Sequence, residues 1–251
     1  MKITVLIENQ STGSLHAEHG LSLYVEQGEH RLLLDAGTSG IFVENAARLG
    51  CPLEGVHIAA LSHGHYDHSD GFPSLFCSND EVKVCARPAV MQPQYAADGR
   101  YIGLSDPLRG EYAERFDLSD EQREILPGLW LVPDPLDHEQ SLVAETAKGL
   151  VVMNSCCHAG ADVIVADVLN RFPGSHVHAL IGGLHLMGPG GTSTLGMEPE
   201  RIAQLARTLT EELGVDQIYT GHCTGTPGYT LLAEAAPGHV FPLNTGTVLE
   251  F

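Results

Sequence analysis

The run His63-Gly64-His65-Tyr66-Asp67-His68 is the part of this sequence richest in side chains that ligate metals. The alternate residues His63 and His65 can converge on one ion, while Asp67 and His68 can turn to a second. Neutral imidazole with carboxylate is a borderline donor set that suits zinc, iron or manganese better than calcium. Three His and two Asp fall within residues 63–70, a density that a merely solvated loop does not need. Two divalent ions about 3.5 to 4 Å apart can clamp an oxyanion and bring the pKa of a bridging water toward neutrality. That is chemistry for hydrolysing esters, lactones, thioesters or phosphoesters. The same ions can instead hold a pyrophosphate leaving group while an amine or aryl carbon of a second substrate attacks.

Such a loop must be held by regular structure. Residues 56–61 read as a buried strand that delivers it, and Asp70-Gly71 ends it before a helical segment over 72–77. Upstream, apolar β-branched runs at 2–7, 21–26 and 31–35 with Gly-containing breaks predict an antiparallel meander. Ile41, Phe42, Asn45, Ala46 and Leu49 then stand at helical spacing within 39–49, stopped by Gly50-Cys51-Pro52. A further strand is expected at 81–86. Downstream, strands are expected at 129–132, 141–147, 149–154, 177–181, 216–219, 239–242 and 246–250, with helices over 160–171, from Pro199 to Leu213, and over 228–235. Both halves thus alternate sheet and helix without a short sequence repeat, which predicts an α/β fold with two sheets faced by helices. We read 1–251 as one domain.

Residues 87–123 lack periodicity and hold Pro88, Pro93, Gly99, Gly103, Pro107 and Gly110, so they read as a long irregular excursion beside the active site. With the preceding strand they carry Lys83, Arg87, Arg100, Arg109, Arg115 and Arg123, which is 6 of the 13 basic residues. Arg87, Arg100 and Arg109 are therefore candidates for binding a substrate phosphate, with surface ion pairing as the alternative. Elsewhere the chain is acidic. Its formal charge of −19 repels nucleic acid and anionic membranes and argues against a polyanionic macromolecular substrate, so the expected partner is a small anionic molecule. The 6 cysteines form no CxxC pair, which reads as reduced thiols and a cytoplasmic location. No stretch approaches the roughly 20 apolar residues of a membrane span, and a homodimer is the base-rate expectation.

The HGHYDH run after VHIAALS resembles the HxHxDH signature of the metallo-β-lactamase superfamily, whose fold is a four-layer αββα sandwich. More narrowly, Ala17 through Ser22, Ser62 through Gly71, Cys156 through Gly160, Ile181 through Leu186 and His222 through Gly225 resemble the branch named for 7,8-dihydropterin-6-methyl-4-(β-D-ribofuranosyl)aminobenzene 5′-phosphate synthase. The resemblance implies a metal-dependent hydrolase, or a transferase like that synthase, with one or two divalent ions. Zinc is the first expectation, then iron or manganese. It implies that His63 and His65 bind the first metal, that Asp67 and His68 bind the second, and that Asp35 orients the loop from behind.

His158 and His222 are the best additional ligands, and His222 follows a strand where the superfamily supplies its last histidine. One departure stands out. Most members end a strand with an Asp that bridges the metals, whereas residues 150–155 run into Cys156-Cys157-His158 with no Asp at the junction. Either Cys156 or His158 substitutes, or the second ion is weakly held; simple burial of both cysteines is the competing reading. His138 is a lesser ligand candidate. Asp67 and His185 are the catalytic candidates, His185 from a Gly-rich loop where its ring can reach substrate or metal or serve structure only. Glu18-His19 reads equally as an active-site rim or as a pair that ties down its loop. The missing Asp also motivates an alternative function, a metal-containing ligand-binding or sensor protein with little turnover. A nuclease, which shares the signature, fits poorly with the charge.

Overall fold

The computed structural model describes residues 1–11 and 13–251. They divide into two compact units, Met1–Glu121 with Asn244–Phe251, and Gln122–Leu243. The first unit runs through β1 (Lys2–Ile7), β2 (Ser22–Gln27), β3 (His30–Leu34), α1 (Ile41–Leu49), β4 (Ile58–Ala60), α2 (Tyr66–Ser69), α3 (Phe72–Ser78), β5 (Val84–Ala86), α4 (Asp106–Arg109) and β6 (Phe116–Leu118). The second begins with β7 (Arg123–Leu126), β8 (Leu129–Pro133), β9 (Gln140–Thr146), β10 (Gly149–Met153), α5 (Ala161–Arg171) and β11 (Val177–Gly182). It continues with the hairpin β12 (Met187–Gly188) and β13 (Gly191–Leu195), then α6 (Pro199–Arg207), β14 (Gln217–Thr220), α7 (Gly225–Ala235) and β15 (Val240–Pro242), after which β16 (Val248–Glu250) rejoins the first unit.

Each unit is built on a seven-stranded mixed sheet, in the orders β16-β1-β2-β3-β4-β5-β6 and β7-β8-β9-β10-β11-β14-β15. The two orders have the same logic. Four strands pair antiparallel, and the remaining three extend the sheet in parallel. Parallel neighbours need crossover connections, and these carry α1 and α3 in one unit and α5, α6 and α7 in the other. The topology therefore repeats although the sequence does not.

Helix faces explain the packing. On α1, Phe42, Asn45 and Ala46 are buried at i, i+3 and i+4, so one stripe meets the sheet. Asn45 is a polar staple in that stripe: its side-chain amide donates to the carbonyls of Leu6 (2.8 Å) and His16 (2.9 Å), and its Oδ1 accepts the His16 N–H (3.0 Å). In the second unit α5 buries Ala161, Ile164, Val165 and Val168 against the same core as Leu180 and Ile218. None of the 6 cysteines forms a disulfide, and among the described residues no helix is long and apolar enough to cross a membrane.

Two expectations need correction. Residues 87–123 are not wholly irregular, because β6 adds in parallel to β5 with Cys85 opposite Asp117; a three-residue strand is too short to show alternation. The helix from Pro199 does not run unbroken to Leu213. It widens over Thr208–Glu212, where the Thr210 hydroxyl donates to the Ala206 carbonyl (2.9 Å) and competes with the backbone for it.

Candidate metal and substrate site

In the first unit β3 and β4 end side by side, with Leu34 opposite Ala60. Asp35 and Ser62 follow them, and the pair organises the histidine loop. The buried Asp35 carboxylate accepts the Ser62 N–H through Oδ1 (2.7 Å) and the Ser62 hydroxyl through Oδ2 (2.7 Å). Its Oδ2 also meets Nδ1 of the buried His68 at 2.8 Å. A carboxylate only accepts, so His68 must carry its proton on Nδ1, which leaves the Nε2 lone pair for a ligand. The Ser62 hydroxyl spends its one proton on Asp35 and therefore accepts from Nδ1 of His63, 2.9 Å away. His63 is thereby held in the same tautomer as His68.

The Nε2 of His63 lies 3.0 Å from Nδ1 of His65. Two ligands of one tetrahedral zinc at bonds of 2.0 to 2.1 Å stand about 3.3 Å apart, so this pair fits a shared ion. Beside it, Oδ2 of Asp67 is 3.6 Å from Nε2 of His68 and 3.2 Å from Nε2 of His19. Glu18 and His19, ambiguous in the sequence, divide the roles: Glu18 ties the loop by accepting from the Ser39 N–H (3.0 Å) and hydroxyl (2.7 Å), while His19 faces Asp67. The 87–123 segment buttresses the motif. The Ile102 carbonyl accepts the Tyr66 N–H at 2.9 Å. A Cβ at Gly64 would stand 3.0 Å from the Val90 Cα and 2.7 Å from the Gln94 amide, so this close approach needs glycine. Burial pushes the Asp70 carboxyl up, partly offset by hydrogen bonds from Ser105 and reinforced by the charge of Asp67.

In the second unit, the loops that follow the parallel strands β10, β11 and β14 carry Cys156 and His158, His185, and His222 respectively. The carboxyl ends of parallel strands are where open α/β sheets bind ligands. Glu139, fully buried just before β9, accepts the Cys156 N–H (3.0 Å) and the His158 N–H (2.6 Å). Ligand atoms of Glu139, Cys156 and His158 lie within 4.8 Å of one another, as do those of His138 with His158 and of Cys156 with His222. The ring of His158 is 4.5 Å from that of His138 and 4.3 Å from that of His185. Cys223 is buried beside Cys156 and His185. Burial raises its thiol, but hydrogen bonds with Cys156 and His185 outweigh this and bring it down to about 6. His185 is raised in turn, first by its hydrogen bond to Cys223.

Backbone strain marks the same places. Among the described residues, the non-glycine positions with positive φ are Asp35 (58°), Asp137 (57°), Cys157 (52°), His185 (51°) and His222 (47°). Each is a candidate site residue or adjoins one. Such conformations cost on the order of 1–3 kcal/mol apiece and persist where surrounding contacts impose them.

The structure brings Asp35, His63, His65, Asp67 and His68 together in one unit, and His138, Cys156, His158, His185 and His222 in the other. It does not gather the three arginines. Arg87 is 2% exposed and bonds Asp120 through Nε (2.9 Å), Arg109 pairs with Asp106 and lies over Tyr101, and Arg100 is on an exposed turn. A cavity of about 250 Å³ in the second unit is instead lined by His158 and His185 together with Arg201, Gln204 and Thr208. The sequence reading missed Ser62, Glu139 and Arg201. Ser62 directly precedes the histidine run, which was a usable signal; nothing local distinguishes Glu139 or Arg201 from surface charges.

The family model of the metallo-β-lactamase superfamily matches residues 17–222. A 7,8-dihydropterin-6-methyl-4-(β-D-ribofuranosyl)-aminobenzene-5′-phosphate synthase of Methanocaldococcus jannaschii is 25% identical over 294 residues, covering 100% of this chain and 97% of that protein. The crystal structure of Tm1679, described as a metal-dependent hydrolase of the β-lactamase superfamily, matches with a TM-score of 0.81 at 27% identity, covering 100% of this chain and 99% of that one. A diphosphatase from the PhnP family matches with a TM-score of 0.60 at 16% identity over 100% of this chain and 96% of that one, a likeness of fold alone.

Proposed function

The chain belongs to the metallo-β-lactamase superfamily, and from that premise we propose that it is a metal-dependent enzyme acting on a small anionic molecule, most simply as a hydrolase. The observation that carries this reading is the Asp35-Ser62 hydrogen-bond chain, which engages Nδ1 of both His63 and His68 and so presents Nε2 of each as the ligating atom. Structural histidines have no need of such uniform preparation, whereas metal ligands do.

In this proposal His63 and His65 hold the first ion, and Asp67 and His68 hold the second. His158 and His222 are further ligands, and Cys156 or His138 can complete the set. His19 joins Asp67 as an addition to the expected ligands. The donor chemistry suits zinc first, with iron or manganese as alternatives. Bound there, divalent ions supply Lewis acidity and a water made acidic enough to ionise near neutral pH. The chain's own side chains do the rest. Asp35 and Ser62 keep two imidazoles in the ligating tautomer, Asp67 serves catalysis as well as binding, and His185 contacts substrate from the wall of the cavity. Arg201, whose guanidinium has no side-chain partner among the described residues, takes the substrate's anionic group.

In hydrolysis, water oxygen joins the acyl or phosphoryl centre and the departing alcohol or thiol leaves with a proton. The full-length likeness to the Methanocaldococcus jannaschii synthase supports a second reading, a transferase that releases pyrophosphate. The 6 cysteines, with no CxxC pair among them, fit a reducing, cytoplasmic setting.

The test combines metal analysis with turnover. Protein purified without added metal should carry about two ions per chain, with fewer in Cys156→Ala or His158→Ala. It should also turn over a member of an ester and phosphoester panel, with activity lost in His65→Ala. A fully loaded protein inert toward that panel and toward pyrophosphate-releasing condensation would instead mark a ligand-binding or sensor protein.

A further inference from the structure

A second group of metal-ligating side chains stands at the other ends of the strands that carry the candidate site. His176 and His178 straddle the start of β11, and Asp216 immediately precedes β14. Residues i and i+2 of an extended segment project to the same side, so both imidazoles share one face. The parallel pairing of β11 with β14, with Ala179 opposite Gln217 and the Asp216 N–H donating to the Val177 carbonyl (3.2 Å), brings Asp216 level with them. Nδ1 of His178 lies 2.8 Å from Oδ2 of Asp216, and Nε2 of His176 lies 3.4 Å from the same oxygen. All three ligand atoms fall within 4.8 Å of one another.

His178 lies in β11, and main-chain hydrogen bonds tie the flanking His176 and Asp216 to the sheet. Leu150 of β10 donates its N–H to the His176 carbonyl (2.9 Å), and the His176 ring rests so closely on Gly149 that a Cβ there would come within 2.7 Å of it. His239 fixes the Asp216 main chain from the far side, Nδ1 to carbonyl oxygen at 2.9 Å. Access is open, since the side chains of His176 and Asp216 are about half exposed while that of His178 is 15% exposed. His178 lies in β11 and the other two abut strand starts, and groups fixed by a sheet are positioned more accurately than those on a free loop.

We propose that His176, His178 and Asp216 form an accessory binding site for one divalent transition-metal ion, separate from the catalytic ligands, with water completing the coordination. Two imidazoles and one carboxylate suit zinc, nickel, copper or ferrous iron and exclude calcium and magnesium as preferred occupants. An ion held there bonds the starts of β11 and β14 to each other and stabilises the folded chain in proportion to its occupancy.

The experiment is a Zn²⁺ titration of the metal-loaded protein, followed by gel filtration and elemental analysis, for wild type, His176→Ala and His178→Gln. Wild type should retain about one more zinc than either variant and show a zinc-dependent rise in thermal midpoint that both variants lack. Both variants should keep the wild-type circular dichroism spectrum and the metal content they had before titration, which separates this site from the catalytic one. Equal zinc retention by all three proteins would overturn the proposal and leave the three groups as surface hydrogen-bonding partners only.

Discussion

Oδ2 of Asp35 lies 2.8 Å from Nδ1 of His68, and both side chains are fully buried. The same carboxylate reaches His63 through the Ser62 hydroxyl, so one acid sets the protonation of two histidines. Its removal should therefore be felt twice.

Asp35→Asn keeps the shape but halves the accepting capacity, since one oxygen becomes an N–H donor facing Nδ1–H of His68 or the Ser62 hydroxyl. Metal affinity is expected to fall about 10- to 100-fold, as for other partners that orient ligating histidines. Competition with a calibrated chelator measures it. Wild-type affinity in the variant would show that the tautomers are set by something else.

Glu139→Gln is the matching change in the second unit. A buried carboxylate that accepts the N–H groups of Cys156 and His158 is replaced by an amide with one accepting oxygen. Leaving a buried donor unsatisfied costs about 1–3 kcal/mol, so the urea midpoint should drop. The metal content of purified protein should drop with it. Loss of stability alone, with full metal, would assign Glu139 to the loop and not to the ion.

Arg201→Ala should weaken binding of an anionic substrate without slowing the bound complex. Hydrogen bonds to charged groups contribute roughly 1.5–3 kcal/mol, or roughly 10- to 150-fold in KM. Steady-state kinetics on any panel substrate that turns over will separate KM from kcat. An unchanged KM would move the anion contact away from this cavity.

Alkaline stability should depend on Tyr24. Burial raises its phenol above the ordinary value of 10.0, with the nearby Arg31 charge opposing, and its hydroxyl donates to the Pro52 carbonyl at 3.2 Å. The unfolded chain then loses this proton first, so the contribution is complete below pH 10.0 and is lost as pH rises toward the folded pKa. Tyr24→Phe lacks this titration. The gap in thermal midpoint between wild type and variant should narrow above pH 10.0, and a constant gap across pH 8 to 11, a range of about three units, would contradict the linkage.

Much of this was legible from residues alone, because it depended on short-range spacing. The histidine run, its supporting strand, the 3.6-residue stripe Phe42-Asn45-Ala46, and the junction where Cys156 stands without an Asp are all local patterns, and α1 and β10 lie within a residue or two of where those patterns place them. The full-length family likeness is of the same kind. What only the tertiary structure decided are relations between residues far apart in the chain. Asp35 meets His68 across 33 positions and Glu139 meets His158 across 19, both because strand ends align in a sheet. Arg201 lines a cavity wall beside His158 and His185, and Arg87 is buried in an ion pair with Asp120, placements that no local pattern records. Hydrophobic periodicity records which face of an element is buried, whereas it is pairing register that decides which polar side chains meet.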